Sequence, residues 1–170
     1  MSATVKEVPL ITREAFISAM ESCVTGVHIV ATDGPAGREG ATLSGMTAIS
    51  TEPGMLMICL NRASSLCSAI EENRGFSVNV LAEGQKMAAH AFSTFAQGEP
   101  QFADSHWTIS PEGTPLLQGA IASFDCRLHQ QWAVNDKVLL VGEVSAVYRH
   151  YGVPLARQAR QYVLIQRDQY

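Results

Sequence analysis

Charge is scarce in this chain. Asp, Glu, Lys and Arg make up 16% of 170 residues, and 12 basic residues face 16 acidic ones. The basic residues are scattered and form no stripe that could track a phosphate backbone, so nucleic acid is not an expected partner. Cysteine is sparse too. Cys23, Cys59, Cys67 and Cys126 are far apart with no C-x-x-C pair, and three lie in apolar runs, where cysteine acts as a small buried hydrophobe. A disulfide framework is therefore not expected, and free thiols suit a reducing cytoplasm. No apolar run is long enough to span a bilayer. Met1 to Pro9 lack a cationic start followed by an apolar core, so neither a signal peptide nor a membrane partner is expected.

Catalytic signatures are missing as well. No G-x-G-x-x-G, Walker loop, G-x-S-x-G elbow, H-E-x-x-H or internal repeat occurs. The five histidines have no metal-ligand spacing, and no metal is expected. His28 lies among apolar residues and reads as a satisfied core or pore-lining side chain. His90 reads as solvated on a helix. Asp125 and His129 fall on one face by alternation, which reads as the exposed face of a strand.

What is present is a 46% apolar chain of one-domain length, 1–170, with 1–11 as a loose N-terminal arm. Phe16, Ile17, Met20 and Cys23 recur at helical spacing behind the N-cap candidate Thr12, predicting a helix over 12–23. Val27 to Thr32 is a β-branched strand, and Asp33-Gly34-Pro35-Ala36-Gly37 turns it into a second strand over 40–50, with Gly45 a candidate bulge. Glu52-Pro53-Gly54 leads into a third strand, 55–60. A helix follows from Ser65 to about Asn73, ended by Arg74-Gly75, and then a strand over 76–81. After Gly84, Met87, Ala88, Ala91 and Phe95 share a helical face. Residues 97–118, rich in Gly and Pro, read as an irregular excursion. Two long strands, 121–131 and 138–150, meet at a turn at Val134-Asn135-Asp136-Lys137. The end, 156–166, reads as a short helix and a last strand. Six or seven strands following one another through turns, with few helices, predict a mainly β, antiparallel, closed or nearly closed barrel.

The stretch from Ser44 to Ser65 carries the chemistry. An apolar strand, Met55 to Leu60, ends in the polar turn Asn61-Arg62-Ala63-Ser64-Ser65, and Leu66, Ala69 and Ile70 then continue at helical spacing. The first N–H groups of a helix lack intrahelical partners and favour an anion. Ser64 or Ser65 could cap the helix or bond a phosphate, with Arg62 as a fixed positive charge. The alternative is an ordinary strand–turn–helix junction whose serines only cap. With no acid, base or nucleophile in evidence, a cofactor carrying its own reactivity is a natural reading, the protein supplying binding and orientation.

The ordered series Gly34-Pro35-Ala36-Gly37, Thr47-Ala48-Ile49-Ser50, Cys59-Leu60-Asn61-Arg62-Ala63-Ser64-Ser65, Asn73-Arg74 and Val78-Asn79-Val80-Leu81 resembles the flavin reductase-like family, whose fold is the FMN-binding split barrel. Gln101-Phe102 with Trp107, Gly113-x-Pro115-x-Leu117, Ser123-Phe124-Asp125-Cys126 and Val141-Gly142-Glu143-Val144 continue it over about residues 12–165. It is similar to the small reductase components of two-component flavin monooxygenases, such as those serving 4-hydroxyphenylacetate hydroxylation and pyrimidine ring opening. The resemblance implies a six- to seven-stranded antiparallel split barrel, homodimeric, with flavin in a groove near the subunit interface. It implies that Met46, Thr47, Ala48, Ile49 and Ser50 line the flavin ring, that Leu60, Asn61 and Arg62 approach it, and that Ala63, Ser64 and Ser65 take the phosphate. Asn79, Val80, Leu81, Gln85, Lys86 and Phe92 are implied nearby.

Two departures stand on the nicotinamide side. Asn135-Asp136-Lys137 replaces a Gly–(Asp/Thr)–His turn, and Arg160-Gln161-Tyr162-Val163 replaces Arg-x-Tyr-His, leaving Lys137, Arg160 and Tyr162 as candidates there. Lys137 could contact a dinucleotide phosphate or stay solvated. The implied function is an NAD(P)H-dependent flavin reductase taking FMN or FAD, with NADH or NADPH as donor and an oxygenase component receiving reduced flavin. Two alternatives remain: a carrier or electron-transfer protein holding FMN tightly, and a barrel without cofactor.

Overall fold

The computed structural model describes residues 11–93, 102 and 106–166. Most of the expected N-terminal arm, together with Phe95 and Gln101, lies outside the described residues. The side chain of Thr12 accepts from Ala15 N at 3.1 Å and caps α1 (Arg13–Met20), which stops short of the expected Cys23. The chain continues as β1 (Thr25–Gly26), β2 (His28–Thr32), β3 (Glu39–Leu43), β4 (Thr47–Thr51) and β5 (Gly54–Asn61). Then come α2 (Ser65–Asn73), β6 (Gly75–Val80), α3 (Lys86–Ala91), β7 (Trp107–Ile109) and β8 (Pro115–Leu117). The long strands β9 (Ala122–Val134) and β10 (Lys137–Arg149) follow, then β11 (Ala156–Gln158) and β12 (Gln161–Val163).

Seven strands form one antiparallel sheet in the order β3-β2-β6-β9-β10-β5-β4. The strand expected over 40–50 is thus two strands at opposite edges of the sheet, and Gly45 is a corner, not a bulge. A Cβ on Gly45 would meet nothing within 4 Å, so the chain there has left the sheet. Because β3 and β4 do not pair, the barrel stays open between them, which is the split-barrel architecture.

The sheet curls around one apolar cluster. Val30, Leu56, Ile58, Phe76, Val78, Leu128 and Leu140 meet Leu66, Cys67 and Ile70 of α2, and Ala41, Leu43 and Met46 pack against them from the two sides of the split. Each such large side chain contributes about 1.5–3 kcal/mol by leaving water, more than an exposed ion pair. A second cluster, Val27, Ile29, Leu81, Ala89, Phe92, Leu117 and Leu155, lies on the other face of β2. That is why β2 is buried at every position and shows no alternation. Arg74, rather than Gly75, takes the left-handed position after α2, at φ 64, and its N–H returns to Ile70 O at 2.9 Å.

Residues 106–118, the part of the expected excursion 97–118 that is described throughout, are less irregular than expected, since β7 and β8 pair antiparallel there. Residues 156–163 contain no helix. β11 and β12 form a hairpin that joins β1 in a three-stranded sheet. Its turn places Ala159 and Arg160 at positive φ, 46 and 66, a geometry that apolar periodicity does not announce. Asp125 and His129 do not share a face: His129 is exposed, whereas Asp125 is fully buried beneath Thr114. A register shift between Val141 and Gly142 skips His129 and resets the pleat between the two residues. Gly142 is needed there, because a Cβ would come within 2.6 Å of Phe76. Cys67 and Cys126 are buried, as their apolar settings imply, while Cys23 and Cys59 are exposed; all four thiols are free.

Candidate functional site

The split exposes a strand edge that runs straight into a helix start. β4 pairs with β5 only as far as Met57, whereas β10 pairs with β5 through Asn61. From Ile58 to Asn61 the β4 side of β5 therefore has no strand beside it, and its backbone groups there are available to a planar polar ligand. The chain then turns. Asn61 Oδ1 accepts from Ala63 N at 3.0 Å, Asn61 O accepts from Ser64 N at 3.1 Å, and Arg62 N donates to Asp136 O at 2.9 Å. The turn is thus rigid and tied to the β9–β10 hairpin.

Ser64 is the N-cap of α2. Its Oγ accepts from Cys67 N at 3.2 Å and donates to Asn61 O at 2.8 Å, so both roles of the hydroxyl are engaged inside the turn. Among the described residues, the N–H groups of Ser65 and Leu66 have no partner. They sit in the first turn of a nine-residue helix. Ser65 is exposed, and its Oγ donates to Glu39 Oε2 at 3.1 Å across the split. The Arg62 guanidinium enters no ion pair among the described residues, and it lines a polar cavity of about 370 Å³ with Ser68, Glu71 and Gln131. Two N–H groups and a hydroxyl at one helix start fit a phosphate, with the Arg62 charge in the same turn although its cavity does not include Ser65.

The remaining candidates divide. Met46, Ala48 and Ser50 line a hollow of about 250 Å³ with Phe124, Val144 and Val147, whereas Thr47 and Ile49 are exposed and do not line it. Strand alternation keeps one ligand from meeting all five side chains. Leu60 is 4% exposed and belongs to the barrel core, so only its backbone is available. Asn79, Leu81 and Phe92 hold interior positions. Leu81 and Phe92 belong to the second core cluster, and Asn79 is fully buried. Its Oδ1 accepts from Leu117 N and Ser123 Oγ, and its Nδ2 donates to Ile29 O and Ser77 Oγ. All of its hydrogen-bonding capacity is used within the fold. Val80 is half-buried and pairs with His28 and Ala122. Gln85 is committed as well: its Oε1 accepts from Ala82 N and its Nε2 donates to Gln118 O.

On the nicotinamide side the three candidates do not come together within the chain. Lys137 pairs with Asn61 in the β5–β10 ladder and so stands beside the polar turn, with its Nζ 3.1 Å from Asp136 Oδ2. That contact holds the Asp136 carboxyl below its ordinary range through the hydrogen bond and charge of Lys137. Arg160 lies on the β11–β12 turn, 3.8 Å from Glu21. Tyr162 lies under Lys86, whose Nζ is 5.7 Å from the ring centroid.

Two features escaped the sequence reading. Glu39 reaches the polar turn from β3, at a distance of 26 positions along the chain that no local pattern encodes. His28 is buried, but its Nδ1 has no partner among the described residues, and burial pulls its pKa from 6.5 down to about 4. It is a core histidine left unsatisfied. Among the described residues no group of three or more His, Cys, Asp or Glu could hold a metal ion.

Comparison with known proteins identifies the family. The family described as "Flavin reductase like domain" matches residues 20–166. The FMN reductase (NADH) RutF of Escherichia coli strain K12 is 36% identical over 141 residues, covering 83% of this chain and 86% of that protein. Among solved structures, the NADH:FAD oxidoreductase SgcE6 of Streptomyces globisporus C-1027 superposes with a TM-score of 0.86 at 26% identity, covering 92% of this chain and 94% of that one. The styrene monooxygenase flavin reductase of Pseudomonas putida S12 gives 0.81 at 28% identity, covering 91% and 99%.

Proposed function

We propose, from the premise that this chain belongs to the flavin reductase-like family, that it is an NAD(P)H-dependent flavin reductase. FMN or FAD binds along the open edge of β5, and reduced flavin passes to a partner oxygenase. One observation carries the reading: the unpaired edge from Ile58 to Asn61 runs directly into two free N–H groups, Ser65 Oγ and Arg62. A flat ring with polar edges and a phosphate tail fits that sequence of groups in that order.

A flavin held there would supply the redox chemistry as hydride acceptor from a nicotinamide donor. The protein binds, orients and excludes water. The backbone of Ile58 to Asn61 offers hydrogen bonds to the ring edge, and Met46, Ala48 and Ser50 offer a mostly apolar surface beside it. Ser65, the first N–H groups of α2 and Arg62 hold the phosphate, while Ser64 keeps the turn in shape. Lys137, one step across the ladder from Asn61, is placed to meet a phosphate of either nucleotide. Thr47, Ile49, Lys86, Arg160 and Tyr162 remain proposed surface contacts for a nucleotide. Asn79, Leu81 and Phe92 act as support for the sheet.

A homodimer is part of the proposal. Ile49, Trp132, Val134 and Val147 stand at 50%, 46%, 49% and 55% exposure on β4, β9 and β10, and a second copy covering them would also enclose the groove. The proposed compartment is the cytoplasm, consistent with four free thiols; no described helix is long and apolar enough to cross a membrane.

Steady-state oxidation of NADH or NADPH by the purified protein with FMN, FAD or riboflavin in excess tests the activity. Turnover with at least one donor and flavin is expected. If no donor is consumed with any flavin, the reading fails. A protein that retains a yellow flavin through gel filtration and stays oxidised with NADH would be a carrier instead.

A further inference from the structure

We propose that Glu39 sets how loosely the flavin phosphate is held, keeping the flavin an exchangeable substrate rather than a resident group. This rests on the reading that the phosphate lies at the start of α2. The Ser65 hydroxyl has a single proton, and it donates that proton to Glu39 Oε2 at 3.1 Å. A phosphate there needs the same proton, because its ionised oxygens only accept. Ser64 offers no substitute, since its hydroxyl already donates to Asn61 O. Glu39 therefore competes directly with the phosphate for the free hydroxyl of the turn.

The carboxylate also brings its charge. Glu39 belongs to β3, whose backbone is fixed opposite Thr32 of β2. Its chain neighbour Arg38 does not neutralise it, because Arg38 is paired with Asp33 at 2.7 Å and lies over the Phe102 ring. Glu39 itself enters no ion pair among the described residues. A bound phosphate would thus have Arg62 attracting it from the turn and Glu39 repelling it from across the split. Lys137 stands near the turn but is engaged by Asp136. The balance favours capture followed by release, which suits a protein that must hand its product to another.

Glu39→Gln isolates the charge, since the amide still accepts from Ser65 and leaves the contact in place. FMN and riboflavin are titrated against the wild-type protein, E39Q and S65A, with flavin fluorescence quenching as readout. E39Q is expected to bind FMN on the order of tenfold more tightly, with riboflavin changed less than about twofold. FMN binding to E39Q should also weaken more steeply with added KCl than in the wild type, because attraction to Arg62 is no longer offset. Stopped-flow dilution should show slower FMN release. If S65A weakens FMN alone while E39Q changes neither flavin, the phosphate site stands and the role of Glu39 is overturned. Equal tightening of both flavins by E39Q overturns it too, by placing the effect on the ring. If FMN and riboflavin bind alike in all three proteins, the phosphate placement itself is wrong, and the inference falls with it.

Discussion

At the start of α2, Asn61, Ser64 and Ser65 crowd a surface turn; beneath β7 and β8, Ser77, Asn79, Thr114 and Ser123 crowd the interior. Both sets are small amide and hydroxyl side chains. In the interior every role is taken: Asn79 makes four hydrogen bonds, Ser77 Oγ donates to Pro115 O, and Thr114 Oγ1 donates to Asp125 Oδ1 at 2.7 Å. Beside that group, Asp125 Oδ2 has no partner among the described residues. At the turn, Ser64 is equally committed, but the exposed Ser65 and Arg62, with two unpartnered N–H groups, keep hydrogen-bonding capacity. Polar residues that satisfy one another hold the fold, and those left open across a split can hold a ligand.

Substitutions in the two regions should therefore part company. The largest effect on stability is expected from Asn79→Ala, which strands the buried N–H of Leu117 and the Ser123 hydroxyl and takes one bond each from Ile29 O and Ser77 Oγ. A loss of about 3–5 kcal/mol in urea unfolding is expected. A change under about 1 kcal/mol would mean that the interior network relaxes as easily as the surface turn.

His28 should give an effect of similar origin that depends on pH. Its folded pKa of about 4 lies below its ordinary 6.5, so the unfolded chain binds the proton more readily. The neutral buried form is fully favoured above pH 6.5, and stability is lost as pH falls from about 6.5 towards 4, by on the order of 3 kcal/mol in total. His28→Asn should flatten that slope, measured as unfolding free energy against pH. An unchanged slope would move the acid sensitivity to another group.

The smallest stability effect separates the two serines of the turn. Ser64→Ala should cost about 1 kcal/mol by removing the cap of α2, whereas Ser65→Ala should leave stability within about 0.5 kcal/mol. Equal losses on thermal or urea unfolding would show that Ser65 also supports the helix.

Local chemistry was readable from the chain. The caps Thr12 and Ser64, the Asp33 to Gly37 turn, the long β9–β10 hairpin and the helix after Ser65 all follow from short-range patterns that the fold respects. What long-range packing decides was not readable. A strand-like run over 40–50 cannot show that the chain crosses the barrel at Gly45, and nothing local to Asn79 announces its bonds to Leu117 of β8 and Ser123 of β9. The C-terminal residues 156–163 lack a helical cap or a strong period, and their pairing with β1 is set by a partner far away in sequence. The site was half legible for the same reason. The turn from Asn61 to Ser65 is contiguous, whereas Glu39 reaches it only through the folded sheet.

The direct test of phosphate placement at α2 is titration of FMN and riboflavin into the wild-type protein and the Ser64→Ala, Ser65→Ala double variant. Riboflavin has no phosphate, so the site predicts that FMN binding weakens by about 1.5–3 kcal/mol through loss of the one Ser65 bond, with riboflavin changed less. Equal weakening of both flavins, or of neither, would contradict it.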